Sequence, residues 1–417
     1  MKFRLPWLFV VLEQVVLCLF TASVWAKDSD LAEQFKLARR NHITVVDARG
    51  AVDSTGQRNH SGPLWVTNVL PGAPESAGKH DLELNGRSKQ PKIFVIFVHG
   101  YGTPPASALE DSNALWQYIR ESNGALRKTL KYLPETDSLA FLAFLWRGDF
   151  GRLAFSKSRQ AADDTAPSFA DFLATVVREA KGARLVILTH SLGAEVVLEA
   201  LEALRHTNGH PVVDTLILVQ GAVPFYSLYN WTVKIGVLNP SDAVTRPDYI
   251  KQCSGKYATA IELASQVIFT VSAKDLVLGR AYYYYNELIG PPTAPCDLPI
   301  FHGVDDRVTA LGSPIDTGDR SELIESPKMP EPIHRPQPQA PVIQILPPPN
   351  SLWITFTDMK IKYPHVSPVP IAAYEDTSTD VLGETFPGHS VLFQRNGRKI
   401  VQELWNRIAE RIGEAGK

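Results

Sequence analysis

The sequence predicts an α/β protein with a mostly parallel central sheet and helices on both faces. Three observations carry this. Short, mostly apolar runs recur at 93–98 (Ile-Phe-Val-Ile-Phe-Val), 138–146, 185–190, 214–219 and 266–272. Stretches with helical spacing of apolar residues separate them. The runs are apolar throughout rather than alternating, as strands covered by helices on both sides must be. With 417 residues, 44% hydrophobic and 21% charged, the chain suffices for one large α/β domain or two smaller ones. The formal net charge of −2, with no long run of one sign, sets nucleic-acid binding aside.

The elements follow in chain order. Residues 1–26 read as a signal peptide. Lys2 and Arg4 are basic, Trp7 to Phe20 is mostly apolar, and Val24-Trp25-Ala26 offers small residues for a cut before Lys27. Glu13 and Gln14 interrupt the apolar stretch and disfavour a membrane span, which needs about 20 apolar residues. The product would be exported, periplasmic or secreted; an uncleaved segment holding it near a membrane is the alternative. Residues 27–92 form N-terminal strands and a loop, with strands at 43–46 and 64–69 expected on the sheet edge and a polar Gly/Pro loop at 71–91.

A domain over 93–417 follows. Helices are expected at about 107–131, about 164–180, after Gly193, and at about 394–413, where Ile400, Val401, Leu404, Ile408 and Ile412 share a face. Residues 223–262, with Pro224-Phe225-Tyr226, Tyr229 and Trp231, form an aromatic-rich insertion, either a cap or a packed excursion. Asn230-Trp231-Thr232 is a glycosylation sequon, meaningful only in a eukaryotic secretory route. Tyr282 to Tyr285 suit a pocket lining or helix packing. A second insertion, 326–349, carries nine prolines from Pro327 to Pro349 and predicts extended polyproline chain. Residues 351–357 (Ser-Leu-Trp-Ile-Thr-Phe-Thr) read as the final strand.

The chemistry concentrates at 185–193, Leu-Val-Ile-Leu-Thr-His-Ser-Leu-Gly, a buried strand running into a turn and then a helix. Ser191 stands where a nucleophile elbow presents an exposed hydroxyl. Gly193 fits the G-x-S-x-G pattern and Thr189 departs from it, at a turn where small residues relieve crowding. The strand at 93–98 ends in His99-Gly100-Tyr101-Gly102. Its Tyr101 backbone N–H, with that of Leu192, would form an oxyanion hole, and losing one such donor costs about 10²–10³ in rate. Asp275 lies just past the strand at 266–272, on the ligand side of a parallel sheet. Asp242, Asp305 and Asp306 follow no convincing strand.

The base should come last. His389 precedes the C-terminal helix and completes the order Ser, Asp, His. His365 is the runner-up and His302 a further candidate, while His334 stands among prolines with little to hold it rigid. His190, beside the nucleophile, suits a packing role. Cleavage would leave Cys253 and Cys296, either free or bridged around the acid's strand. A bridge could add roughly 4 kcal/mol. No metal site or cofactor is expected, because the cysteines are far apart and no histidine pair has ligand spacing.

These residues resemble the α/β-hydrolase superfamily. Within it they look like a bacterial family catalogued as a domain of unknown function, with an HGY strand end and an A-H-S-M-G-like elbow. Leu145-Trp146-Arg147-Gly148-Asp149, Asp275-Leu276-Val277-Leu278 and Ala310-Leu311-Gly312-Ser313 resemble further stretches of that family, over about 93–410. The departures are Thr189, Leu192 where the family has methionine, and the proline-rich insertion. The resemblance implies the α/β-hydrolase fold and a serine-hydrolase triad, and it implies no substrate.

The expected function is an exported serine hydrolase cleaving a carboxylic ester, on a small molecule or a lipid, through Ser191, Asp275 and His389. A lipase with a lid at 223–262 differs only in substrate. The alternative class is a catalytically inactive hydrolase fold used for binding.

Overall fold

The computed structural model of the protein describes residues 31–52, 57–58, 65–68, 91–150, 154–179, 182–205, 212–223, 225–228, 235–236, 256–271, 344–345, 365–370, 391–393 and 397–414. The signal segment, Asp275, His302, His334, His389, Asp242, Asp305, Asp306, Cys253, Cys296, Asn230, the tyrosines at 282–285 and the strand expected at 351–357 lie outside these residues.

The chain runs α1 (Leu31–Arg40), β1 (Ile43–Asp47), β2 (Val66–Thr67), β3 (Ile93–Val98), α2 (Pro105–Leu126), β4 (Leu139–Leu145), α3 (Phe155–Glu179), β5 (Arg184–His190), α4 (Gly193–Arg205) and β6 (Val213–Val219). Then come β7 (Ile235–Gly236), β8 (Ala264–Val271), β9 (Gln344–Ile345), β10 (Val366–Pro370) and α5 (Gly397–Glu414). Eight strands form one sheet in the order β10-β8-β6-β5-β3-β4-β1-β2. All neighbours are parallel except the β1–β2 pair. The expected mostly parallel α/β sheet is therefore the one observed.

Strand period sorts the core into two layers. Phe94, Ile96 and Val98 of β3 face one side, where α3 and α4 contribute Phe169, Phe172, Leu173, Val197, Leu198 and Leu201. Ile93, Val95 and Phe97 face the other, against Phe35 of α1, Trp116 and Ile119 of α2, and Leu404, Trp405 and Ile408 of α5. Every residue of β3 and β4 is buried. That two-sided burial is why these strands read as unbroken apolar runs.

Several boundaries differ from the sequence expectation, each for a local reason. Helix α2 starts at Pro105, since proline needs no N–H acceptor in a first turn. Helix α3 begins at Phe155 and carries Pro167 in its interior, so the proline does not mark the helix start. Strand β1 lies one place inside the sheet edge, with β2 outside it. Residues 257–262, the tail of the expected insertion at 223–262, belong to the core: Tyr257, Ala260 and Ile261 are buried. Strands β7 and β9 pair antiparallel apart from the main sheet and join the two expected insertions. The last described strand of the sheet is β10, Val-Ser-Pro-Val-Pro, whose prolines are tolerated because it is an edge strand. Among the described residues no helix is long and apolar enough to cross a membrane.

Candidate active site

The register of β3 and β5 brings the two key loops together. Val98 pairs with Thr189, so the His99-Gly100-Tyr101 loop and the Ser191 turn leave the sheet at the same level. Ser191 has φ +50°. A non-glycine residue reaches this left-handed region only when its surroundings over-determine it. Here they do. The Ser191 N–H donates to the Val219 carbonyl at 3.0 Å, and the Ser191 carbonyl accepts from Ala194 N–H at 3.1 Å and Ala222 N–H at 3.0 Å. Ser191 keeps 5% of its surface. The neighbouring strand end repeats the conformation: Gln220 has φ +47°, and its N–H donates to the Thr270 hydroxyl at 2.8 Å. Gln220 and Thr270 escaped the sequence reading, since nothing in the Gln220-Gly221-Ala222 run marks the glutamine as the left-handed residue.

Two glycines make the approach possible. A Cβ on Gly193 would lie 2.5 Å from the carbonyl oxygens of both Val98 and His99. A Cβ on Gly100 would lie 2.8 Å from the Ser191 Cβ and 3.0 Å from His190 Nδ1. The crowding expected at the elbow thus falls on Gly193 and not on Thr189. Thr189 is buried and its hydroxyl donates to the Ile217 carbonyl across the sheet at 3.4 Å, so the larger residue is accommodated. Leu192 is fully buried and immediately precedes α4, whose first N–H groups have no intrahelical acceptor. His190 is buried, with its ring edge-on to Phe393 at 5.1 Å, the packing role expected of it.

The loop after β3 is laced to the segment after β4. Trp146 Nε1 donates to the His99 carbonyl at 2.8 Å, and the Trp146 backbone N–H donates to His99 Nε2 at 3.2 Å. The two rings stack with centroids 5.7 Å apart. His99 Nδ1 lies 3.0 Å from the Gly100 carbonyl oxygen. Gly102 N–H closes the loop onto the Gly148 carbonyl at 2.8 Å. Burial pushes the His99 pKa down to about 4, so the ring is neutral at ordinary pH.

The triad candidates divide. Ser191, Leu192 and Tyr101 are placed together on the ligand side of the sheet; Asp275 and His389 lie outside the described residues. His365 sits at the opposite end. It precedes β10, its carbonyl accepts the Val267 N–H at 2.9 Å near the start of β8, and its Nε2 lies 3.3 Å from the Ile261 carbonyl. It is therefore remote from the strand ends that carry Ser191.

Behind the elbow lies a charge cluster that the sequence reading missed. The Arg159 guanidinium of α3 donates to both carboxylate oxygens of Glu195 on α4, at 3.0 and 2.5 Å. Lys256 pairs with Glu199, and Tyr257 donates to Glu199 at 2.7 Å. The carboxylates of Asp163, Glu195 and Glu199 converge within 4.8 Å. Desolvation, then the Glu195 and Glu199 charges, raise the Asp163 pKa to about 8 against the pull of Lys256 and Arg159. These residues alone among those described converge as metal ligands would, and two of them already have protein cations for partners. Helical spacing alone could have placed Glu195 and Glu199 on one face of α4; nothing local pointed to Arg159.

Residues 75–223 match the model of a family described as "Alpha/beta hydrolase of unknown function (DUF900)". No curated protein matches the chain. Among solved structures, the chain is similar to phospholipase PlaB from Legionella pneumophila, solved in complex with thio-NAD, at 17% identity and a TM-score of 0.26. That similarity covers 48% of this chain and spans only 40% of the phospholipase. It is also similar to the metagenomic carboxyl esterase MGS0156, at 12% identity and TM-score 0.23, over 59% of this chain and 73% of that one. A likeness to RedJ has 12% identity and TM-score 0.22, over 47% of this chain and 79% of that one. The sheet and the turn at Ser191 have the α/β-hydrolase fold, and residues 75–223 match the model of that family.

Proposed function

We propose that the protein is an exported serine hydrolase that cleaves carboxylic esters through Ser191, His389 and Asp275. The observation that carries this is the turn at Ser191. Its left-handed backbone is pinned by three hydrogen bonds, with Gly100 packed against the serine side chain. Strain of about 1–3 kcal/mol at one residue persists only where the surroundings over-determine it, and such residues cluster at active sites.

Tethers support the other two members. Asp275 is four residues beyond Val271, the end of β8, and a chain spans at most about 3.3–3.6 Å per residue. His389 is three residues before the buried Leu392 and four before Phe393, whose ring packs on His190 next to the nucleophile. His365, at the far end of the sheet, no longer competes. The Thr189 hydroxyl is satisfied across the sheet, so the larger residue at the elbow is compatible with a catalytic turn.

In this reading Ser191 Oγ attacks the ester carbonyl as His389 takes its proton. The Leu192 and Tyr101 N–H groups hold the oxyanion, and the alcohol leaves with the proton from His389. Water, activated by the same imidazole, then cleaves the acyl-enzyme. Asp275 orients His389. Export follows from the signal-like segment 1–26, with Lys27 as the first residue of the mature chain; an N-terminal sequence of the exported protein starting elsewhere would overturn that site. Neutral ester substrates fit the near-zero net charge.

The test is covalent labelling by a fluorophosphonate, which reacts only with an activated serine. Wild type should label, and Ser191→Ala and His389→Ala should not, while His365→Ala should label as wild type does. Absence of wild-type labelling would leave a binding protein, and persistent labelling of His389→Ala would remove His389 as the base.

A further inference from the structure

Two hydrogen bonds of the His99 ring form one line. The Trp146 backbone N–H can only donate, so His99 Nε2, 3.2 Å away, accepts. The proton of the neutral ring is then on Nδ1, which faces a carbonyl oxygen, that of Gly100, at 3.0 Å. This carbonyl belongs to the Gly100–Tyr101 peptide. A trans peptide is planar, so its C=O and N–H point in opposite directions. Holding the Gly100 oxygen toward His99 therefore aims the Tyr101 N–H the other way. Gly100 itself lies against Ser191: a Cβ built on it would be 2.8 Å from the serine Cβ. On the oxygen's own side, a Cβ on Gly148 would be 3.3 Å from it, so the pocket that receives this carbonyl is closely walled.

We propose that His99 is the positioning residue of the oxyanion site. It relays the fixed Trp146 backbone to the Gly100–Tyr101 peptide and so sets the direction of the Tyr101 N–H. The inference rests on the serine-hydrolase reading of Ser191 and deepens it. His99 touches no substrate; it acts through one peptide plane. Preorganised donors speed a reaction because they need no reorientation as charge develops, and a donor left free to rotate loses that advantage. The charged groups facing the imidazole are Asp149 and Arg49, with opposing effects on its protonation.

The experiment compares three substitutions in the full chain. His99→Asn keeps a donor near the Nδ1 position. His99→Gln keeps an acceptor near the Nε2 position and loses the donor. His99→Ala loses both. For each, the fluorophosphonate labelling rate is resolved into reagent binding and the bond-forming step, beside the affinity for a trifluoromethyl ketone, whose hemiketal oxygen carries the oxyanion charge. Thermal stability is followed in parallel.

Labelling by His99→Ala and by His99→Gln should fall about 10²-fold in the bond-forming step, with reagent binding little changed. Ketone affinity should fall in proportion, and His99→Asn should recover at least about tenfold of both. Equal losses in the Asn and Gln variants, or losses that follow thermal stability alone, would overturn the proposal and make His99 a packing residue. Should His99→Ala fail to fold, the Asn–Gln difference still decides. The two levels separate cleanly: unreactive wild type defeats the hydrolase reading and this one with it. Reactive wild type with undiminished His99 variants defeats the positioning role alone.

Discussion

At the scale of single residues, Gly193 is held by two backbone oxygens that cannot move out of its way. Gly193→Ala would place a Cβ 2.5 Å from the carbonyls of Val98 and His99, both at the end of a central strand. Overpacking of this kind costs about 1–3 kcal/mol. The displaced elbow should lose about 10²-fold or more in labelling rate, by the sensitivity of catalysis to misplacements of about 1 Å. Urea denaturation and fluorophosphonate kinetics would read the two effects, and an alanine variant with wild-type behaviour in both would refute the crowding argument. Gly193 was readable in the sequence because its motif position has a steric cause. Thr189 misled, since a hydroxyl donating to the Ile217 carbonyl satisfies what the pattern assigns to a small side chain. The Trp146 partnership of His99 was not readable, because it joins residues on different strands through backbone groups that a sequence does not display.

At the scale of elements, α3 and α4 meet through Arg159 and Glu195, both buried and bonded by two hydrogen bonds. Removing one partner of such a pair strands a buried charge, at a cost of about 3–5 kcal/mol. Glu195→Ala should therefore lower stability by that much in urea titrations. The double replacement Arg159→Met with Glu195→Leu should be far milder than either single change, and additive losses would show that the two side chains act separately. Strands β3, β4, β5, β6 and β8 were visible as apolar runs because both their faces are covered. Strand β10 was not, since two prolines in five residues argue against a strand unless it lies at an edge, which only the sheet order reveals. Helix α1 went unread for another reason. It is ten residues long and buries only Phe35 and Ala38, a stripe too thin to stand out.

For the molecule as a whole, the buried His99 and the partly buried Asp163 set opposite dependences on pH. His99 titrates at about 4 when folded and 6.5 in its ordinary state, so the unfolded chain binds more protons between those values. Its contribution to stability is complete above pH 6.5 and is lost as pH falls toward 4. Asp163 behaves in reverse. Its pKa of about 8, raised from 3.8, means the folded chain holds a proton that the unfolded chain has released, and stability falls as pH rises through that window. Above pH 6.5 only the Asp163 effect remains of the two. Asp163→Asn should accordingly raise the unfolding free energy from urea titration at pH 8, by roughly 1 kcal/mol or more, and give no gain at pH 4. A benefit that is the same at both values would exclude titration of Asp163 as its source.

The pairing of β3 with β5 has a kinetic consequence. The loop after β3 and the turn after β5 are neighbours in space, yet α2, β4 and α3 lie between them along the chain. Helices form locally within about a microsecond, while parallel strands must wait for distant segments to meet. A refolding chain should thus regain helical circular dichroism first and reactivity toward fluorophosphonate later. On the proposed serine-hydrolase reading, it would for that interval be a protein with much of its helix formed and no reactive Ser191, its chemistry switched on only by the last long-range docking event.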